Sequence, residues 1–238
     1  MFSLIIPMYN EEKILPETIK TLDEYMSKHF DSYEIVFSDD GSTDSSRKIV
    51  ENCGVENIRV VGYEKNRGKG AAVRNGMKNA KGDVRLFTDC DLAYGTDIIA
   101  KLYESFVACK CDVMIGSRNL TEDGYEGYTF MRKFASKCYI KLLCLVGGFS
   151  LSDSQCGVKA FSAKAADEIF SYAETDGFAF DFEALMIAKR LGLTVAEIPV
   201  KIINHREASS KVNMFSDTFK MLGDIARMKK RVKEKVEK

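Results

Sequence analysis

The first half of the chain alternates between short apolar stretches and amphipathic stretches, and this alternation limits the folds open to it. After the apolar stretch at 2–8, Leu15, Ile19, Leu22 and Met26 are spaced as one face of a helix. Four further apolar stretches follow, "YEIVFSDD", "NIRVVGY", "DVRLFTDCD" and "CDVMIGS". Such β–α units predict an α/β fold with a mostly parallel, Rossmann-like sheet that has helices on both faces.

Polar residues follow each of these predicted strands at the point where the strand ends. In folds of this kind, ligands bind at the carboxyl ends of parallel strands. The sequence therefore predicts one polar site, built from residues that follow different strands: Tyr9, Asn10, Glu11, Asp39, Asp40, Asn66, Arg67, Asp89, Asp91, Ser117 and Arg118.

The second half is less regular, but it contains no linker, repeat or low-complexity segment. Its patterns predict a helix over 129–146, a short strand at "VKAF", a helix over 180–191 and a strand at "TVAEIPVKII". In the first half, Ser42 or Thr43 is the expected N-cap of the second helix, which would begin near Thr43. We expect a single domain over 1–238, which ends in an amphipathic basic helix over 213–238.

Charge and cysteine content narrow the class of protein. The 35 Lys and Arg residues balance the 35 Asp and Glu residues, so the net charge does not indicate nucleic acid binding. The seven cysteines are odd in number and lack zinc-site spacing, which indicates reduced thiols in the cytoplasm. We expect no signal peptide before the first strand, and the apolar run at 142–149 is too short to span a bilayer. The basic stretch at 227–238 fits either a solvated helix end or contact with an anionic membrane surface.

Asp89 and Asp91 end the fourth predicted strand and are one residue apart. Strand alternation places both carboxylates on the same side, where they repel each other unless a positive charge lies between them. A hard divalent cation, Mg²⁺ or Mn²⁺, takes such oxygen ligands and bridges to the oxygens of a diphosphate. The alternative is an ordinary solvated strand end that is followed by a turn.

Five segments together resemble the family 2 nucleotide-sugar glycosyltransferases with the A-type fold. The segments are "IIPMYNEE", "EIVFSDDGSTD", "NRGKGAAVRNG", "GDVRLFTDCDL" and "VMIGSR", in the order and spacing of that family. Within the family, "DSQCGVKAF" and "GFAFDFEALMIAKRLGLTVAEIPV" are most similar to the polyprenyl-phosphate sugar transferases. The resemblance covers about residues 2–212. It implies a nucleotide-sugar-binding half over 1–118 and an acceptor half over 119–212.

The resemblance also implies roles on the donor side. Asp91 would bind the metal that bridges the diphosphate, and Asp89 would contact the ribose or the sugar. Asp39 and Asp40 would hold the base and the ribose. The other donor-binding positions are Pro7, Tyr9, Glu11, Lys69, Arg206 and Lys211. The family's mannosyl transferases have a glutamine two residues after the second aspartate, where this chain has Ala93.

On the acceptor side, the resemblance implies that Arg118 and Arg132 bind the acceptor phosphate, with Gln155 beside them. Arg118 also counts as a catalytic candidate. A phosphate acceptor is already ionised and needs only arginines to position it, whereas a sugar hydroxyl requires a carboxylate base. Asp153 and Asp181 are the candidates for that base. Asp153 could equally be a turn residue, and Asp181 the N-cap of the helix that follows.

The expected activity is therefore an inverting, metal-dependent transfer of a hexose, glucose from UDP-glucose first of all, to a polyprenyl or dolichyl phosphate at the cytoplasmic membrane face. The donor GDP-mannose stays open. One alternative keeps the donor but uses a sugar hydroxyl of a glycolipid or polysaccharide as acceptor. Two other classes are a receiver-like phospho-acceptor domain and an inactive binder of sugar nucleotides.

Overall fold

Seven strands form one sheet in the computed structural model of the chain. The structure describes residues 1–124, 140–141, 143–145, 147–177, 179–204, 225 and 227–236. The strands are β1 (Phe2–Met8), β2 (Tyr33–Asp39), β3 (Ile58–Gly62), β4 (Val84–Phe87), β5 (Val113–Ser117), β6 (Lys159–Ser162) and β7 (Val195–Pro199). Their order in the sheet is β3-β2-β1-β4-β6-β5-β7.

Six helices with complete bounds flank the sheet. They are α1 (Leu15–His29), α2 (Ser46–Glu51), α3 (Lys69–Asn79), α4 (Asp97–Cys109), α5 (Ala163–Tyr172) and α6 (Phe180–Arg190). Residues 225 and 227–235 are also helical, while 213–224 and most of the predicted helix over 129–146 lie outside the described residues. Within the described part of the chain, no helix has the length and apolar character needed to cross a membrane.

The prediction of a mostly parallel sheet is confirmed, with one exception. Strands β1, β2, β3 and β4 pair in parallel with one another, and so do β5 and β7. Strand β6 lies antiparallel between β4 and β5, with Lys159 opposite Phe87 and Phe161 opposite Arg85. This strand comes from the second half of the chain, so one sheet includes residues of both halves.

The two faces of the sheet bury separate hydrophobic clusters. Because side chains alternate along a strand, Leu4 and Ile6 of β1 point to one face and Ile5 to the other. Leu4 and Ile6 belong to the cluster that α1 and α4 cover, and Ile5 to the cluster that α3, α5 and α6 cover. The second cluster also includes Ile225, Met228, Val232 and Val236. Cys53, Cys109, Cys111, Cys144 and Cys156 are not in disulfides.

The predicted start of the second helix was wrong by three residues. Helix α2 begins at Ser46, and Ser45 precedes it without a side-chain cap. The backbone N–H groups of Thr43 and Asp44 instead donate to Oδ1 of Asn10, at 2.8 and 3.4 Å. These bonds hold residues 42–44 in a loop against the end of β1, so the helix starts only after them.

Candidate active site

A cleft of about 440 Å³ opens where β1, β2 and β4 end. Its position follows from the parallel strands, whose carboxyl ends meet at one edge of the sheet. Seven of the residues predicted to bind the donor or the metal lie together there, namely Pro7, Tyr9, Glu11, Asp40, Lys69, Asp89 and Asp91. Met8, Asn66, Gly68, Ala72 and Cys90 complete the lining.

Asp40 organises the loop that forms one wall of the cleft. Its carboxylate accepts hydrogen bonds from Oη of Tyr63 at 2.6 Å and Nδ2 of Asn66 at 2.9 Å. The backbone N–H groups of Arg67 and Gly68 also donate to it, at 3.0 and 2.9 Å. Burial and the bond to Asp40 raise the pKa of Tyr63, so the phenol remains a donor. Asp40 therefore fixes residues 63–68 in addition to any contact with a ligand.

Asp39 and Asp40 are both buried, but Asp40 lines the cleft and Asp39 does not. Oδ1 of Asp39 accepts from the backbone N–H of Ser42 at 3.0 Å, and its Oδ2 lies 3.8 Å from the Arg47 guanidinium. These contacts shape the turn after β2. The structure thus separates the two aspartates that the sequence treats as one pair.

Asn10 joins the loops after β1 and β2, a structural role that goes beyond its predicted place in the polar site. Its backbone has a φ of 54°, a left-handed conformation that asparagine tolerates better than most residues. Its N–H donates to Oγ of Ser42 at 3.0 Å, and the next N–H, that of Glu11, donates to Oγ of Ser46 at 2.8 Å. These hydrogen bonds hold Tyr9, which is 43% exposed, at the mouth of the cleft.

Lys69 is a cation that contacts the aspartate pair. Its Nζ lies 2.5 Å from Oδ1 of Asp89. Burial lowers the pKa of Lys69, but the charges of Asp89, Asp181 and Asp91 outweigh burial and raise it. The backbone N–H of Ala93 donates to Oδ1 of Asp91 at 3.1 Å. The repulsion between the two aspartates is therefore partly offset by a protein cation.

The donor set of the cleft fits a divalent ion that shares its ligands with a substrate. Asp89 and Asp91 supply carboxylate oxygens, the ligands that Mg²⁺ and Mn²⁺ prefer. No group of three or more His, Cys, Asp or Glu side chains that could hold a metal occurs among the described residues. Asp89 and Asp91 are the pair that would hold such an ion.

Gly157 gives Asp89 its room. A Cβ atom at Gly157 would lie 2.5 Å from Oδ2 of Asp89, closer than real contacts allow. The N–H of Gly157 donates to Oη of Tyr94 at 3.2 Å. The segment before β6 therefore lies behind the aspartate pair. No local pattern in the sequence predicts this contact.

Asp181 is not an N-cap, so that alternative is wrong. Ala179 occupies the N-cap position, and Asp181 lies in the first turn of α6. Its Oδ1 accepts a hydrogen bond from Nζ of Lys159 at 2.6 Å, and both side chains are buried. Burial raises the pKa of Asp181, while Lys159 and Lys69 oppose that rise.

Asp153 is fully buried and is bound to Arg118 by two hydrogen bonds. Nε of Arg118 donates to Oδ2 at 2.6 Å, and Nη2 donates to Oδ1 at 3.0 Å. The backbone N–H groups of Arg118 and Gln155 also donate to this carboxylate. Nε2 of Gln155 is buried and has no hydrogen-bond partner among the described residues. These three residues do not line the cleft.

Three predicted site residues lie outside the described residues. They are Arg132 on the acceptor side and Arg206 and Lys211 on the donor side. Their roles stay predictions from the sequence.

The glycines of "NRGKGAAVRNG" allow another part of the chain to approach the start of α3 closely. A Cβ at Gly70 would lie 2.5 Å from the carbonyl oxygen of Thr175 and 2.5 Å from Cβ of Phe180. The N–H of Gly70 donates to the carbonyl of Asp176 at 2.8 Å. The start of α3 is thus fixed against residues 175–177, and this contact places Lys69 at the cleft.

The fold is that of known A-type glycosyltransferases. Glucosyl-3-phosphoglycerate synthase from Mycobacterium tuberculosis, solved in complex with UDP, superposes with a TM-score of 0.67 at 19% identity. The match covers 98% of this chain and 80% of that one. Mannosyl-3-phosphoglycerate synthase from Rubrobacter xylanophilus gives a TM-score of 0.65 at 16% identity, over 97% of this chain and 73% of the other.

Sequence similarity then places the chain within this class. It belongs to glycosyl transferase family 2, whose model matches residues 3–170, and it is therefore an enzyme. The dolichyl-phosphate beta-glucosyltransferase of Dictyostelium discoideum is 34% identical over 95% of this chain and 73% of its own length. The enzyme of the same name from Saccharomyces cerevisiae is 31% identical over 94% of this chain and 72% of its own length. The predicted resemblance is confirmed.

Proposed function

We propose that this protein is an inverting, metal-dependent hexosyltransferase that moves glucose from UDP-glucose to a polyprenyl or dolichyl phosphate. The observation that carries the proposal is the convergence of Asp89, Asp91 and Lys69 in one cleft at the carboxyl edge of the sheet. The similarity to dolichyl-phosphate beta-glucosyltransferases over nearly the whole chain supports the donor sugar and the acceptor class.

On the donor side, Asp91 would hold a Mg²⁺ or Mn²⁺ ion, with Asp89 beside it. When bound, such an ion neutralises the charge that develops on the leaving diphosphate. The Lys69 ammonium orients Asp89 at 2.5 Å. Tyr9 and Asp40 border the part of the cleft farther along the edge of the sheet, where the nucleoside would lie. Solved neighbours that contain Mn²⁺ and UDP-glucose have the same fold, which supports this assignment.

On the acceptor side, a phosphate is the group that fits the described residues best. A sugar hydroxyl needs a carboxylate base, and the two candidates are both in ion pairs, Asp153 with Arg118 and Asp181 with Lys159. A phosphate is already ionised at pH 7 and attacks when it is held in line with the leaving group. We propose that Arg118, Arg132 and Gln155 belong to the acceptor half, and that Asp153 holds Arg118 in place.

We place the reaction at the cytoplasmic membrane face, because a polyprenyl phosphate is confined to a bilayer. Part of the basic C-terminal segment serves another purpose. Arg231 contacts the buried carboxylate of Glu183, and Lys235 contacts Glu174. These two cations therefore attach the C-terminal helix to the rest of the domain. Membrane contact would depend on the other basic residues of the segment.

Calorimetric titration tests the donor site first. UDP, UDP-glucose and GDP-mannose are each titrated in the presence of Mn²⁺, Mg²⁺ or EDTA, into wild type and into Asp91→Asn. We expect metal-dependent binding of UDP and UDP-glucose, weaker binding of GDP-mannose, and loss of the metal dependence in the variant. If no nucleotide binds under any condition, the transferase assignment is wrong.

Transfer assays then identify the acceptor. Radiolabelled UDP-glucose is incubated with dolichyl phosphate, with a glycolipid, and with 3-phosphoglycerate, and the organic phase is counted before and after mild acid. A lipid product that mild acid hydrolyses is expected, since a glycosyl phosphate is acid-labile. A stable lipid product would favour a sugar hydroxyl, and a water-soluble product would favour a small phosphorylated acceptor.

A further inference from the structure

Lys159 is a buried cation that the reaction proposed above does not use. It begins β6 and has no exposed surface. Its Nζ donates to the carbonyl of Cys156 at 2.5 Å and to Oδ1 of Asp181 at 2.6 Å, and it lies 5.5 Å from the ring centre of Phe87. A buried ammonium is costly to desolvate, and a well-packed apolar side chain is often no less stable. Stability alone therefore gives no reason for a lysine here.

The partner of Lys159 leads toward the cleft. Asp181 is buried and interacts with two ammonium groups, Lys159 through a hydrogen bond and Lys69 through its charge. Lys69 in turn contacts Asp89, which faces the donor site. The charges alternate in the order Lys159, Asp181, Lys69, Asp89, from the core to the open cleft.

This order creates a competition for Lys69. Without the charge of Lys159, Lys69 is the cation whose charge acts most on Asp181, and a buried carboxylate attracts a cation strongly. Any movement of Lys69 toward Asp181 is a movement away from Asp89. The repulsion between Asp89 and Asp91 would then increase, and Asp89 would lose the contact that orients it.

We propose that Lys159 is a positioning residue of the donor site, which neutralises Asp181 in the core and so leaves the Lys69 ammonium on Asp89. The inference rests on the proposed function, because it assumes that Asp89 contributes to binding the nucleotide with its metal. The segment that contains Lys159 also shapes the other side of Asp89, since Gly157 leaves space for Oδ2. Residues 157–159 thus act on both oxygens of Asp89, one directly and one through two charges.

The test is the affinity of the folded protein for UDP with Mn²⁺, measured by calorimetry. Lys159→Met removes the charge and keeps much of the volume, and we expect it to weaken this binding about tenfold. Lys159→Met combined with Asp181→Asn removes both members of the buried pair. The double variant should recover at least half of the loss on a logarithmic scale, because no charged Asp181 competes for Lys69.

Arg85→Met is the matched control. Arg85 is also buried, lies on the neighbouring strand β4 and pairs with Asp167, and it does not line the cleft. Removing it should lower the thermal midpoint while the UDP affinity stays within about twofold of wild type. If Lys159 had only a structural role, Lys159→Met would give the same pattern as this control, namely a lower thermal midpoint with little change in UDP affinity.

The outcomes separate the two proposals. If wild type shows no metal-dependent UDP binding, the proposed function fails before Lys159 is examined. If wild type binds and folded Lys159→Met binds equally well, the positioning role is wrong and the proposed function stands. If Lys159→Met does not fold, the double variant decides, since a folded double variant with the tenfold loss or more would also overturn the positioning role.

Discussion

Two groups of carboxylates lie beside strands of the sheet, and they differ in what surrounds them. Asp89 and Asp91 line the cleft after β4. The Asp89 side chain is 30% exposed and contacts the Lys69 ammonium. Asp153 precedes β6 and pairs with Arg118, which follows the end of β5, while Glu197 lies within β7. Asp153 has no exposed surface and accepts from Arg118, and Glu197 accepts from the backbone N–H and Oγ of Ser152.

Asp153 and Asp89 differ in how many hydrogen bonds their carboxylates accept from the protein. Each oxygen of Asp153 accepts hydrogen bonds from both backbone and side-chain groups, so little capacity is left for a ligand. Asp89 instead faces the open cleft, with Oδ1 in contact with the Lys69 ammonium and Oδ2 beside Gly157. The same residue type thus stabilises the fold in one place and is available to a ligand in the other.

Asp91→Asn is expected to give the largest effect. The substitution keeps the shape of the side chain and removes the charge that would hold a divalent ion. Transfer of glucose from UDP-glucose should fall about 10³-fold, while the free energy of unfolding changes by no more than about 0.5 kcal/mol. Radiometric transfer assays and urea unfolding measure the two quantities. A variant that retains a tenth of the activity would contradict the assignment of Asp91.

Asp153→Asn should show the opposite pattern. It leaves the Arg118 guanidinium, which is 13% exposed, without its buried counter-charge, and removing one partner of such a pair costs about 3 kcal/mol. Urea unfolding should show this loss. As a control, Arg118→Met with Asp153→Leu removes both charges and should recover most of the stability. If Asp153→Asn is as stable as wild type, the contrast between the two groups of carboxylates does not hold.

The sequence could predict the cleft because its elements are consecutive β–α units. Parallel strands bring their carboxyl ends together, so Tyr9, Asp40, Lys69 and Asp91 could be placed near each other without a structure. Strand β6 shows where this reasoning stops. The four residues of β6 give no indication of direction, and its antiparallel insertion is what brings Lys159 beside Asp181.

Helix α5 was missed although its signal was present. Ala165, Ala166, Ile169 and Phe170 are buried at helical spacing, and the Ser162 hydroxyl caps the helix by accepting from the N–H of Ala165 at 3.1 Å. The role of Asp153 could not be read in the same way. Its partner Arg118 is 35 residues away in the chain, and the contact exists only once β5 and the segment before β6 lie side by side.

Gly157→Ala tests whether Asp89 depends on the space beside it in the cleft. The new Cβ would lie 2.5 Å from Oδ2 of Asp89, so the carboxylate must turn away from its position. Metal-dependent UDP binding should weaken about tenfold, with a modest loss of stability. Gly177→Ala is the control, since a Cβ there meets no atom within 4 Å. Equal affinities of the two variants would show that Asp89 has room to adjust.

Asp176→Asn tests whether a carboxylate beside the start of α3 behaves like Asp153. Asp176 contacts the guanidinium groups of Arg67 and Arg74, and its side chain is 32% exposed. Burial raises the pKa of Asp176, but the hydrogen bonds from the two arginines outweigh burial and lower it below 3.8. Because the folded pKa is lower than the unfolded one, the stabilisation is present above about pH 3.8 and disappears as the pH falls through the folded pKa.

Partial exposure makes this effect the smallest of the four. Solvent screens the ion pairs, so the variant should lose only about 0.5–1 kcal/mol at pH 7. Urea unfolding of wild type and Asp176→Asn from pH 7 to pH 3 should show two stability curves that converge toward the acid end. UDP affinity should fall less than for Gly157→Ala, because Asp176 reaches the cleft only through the start of α3. A constant difference across the pH range would mean that Asp176 acts through its shape and not through its charge.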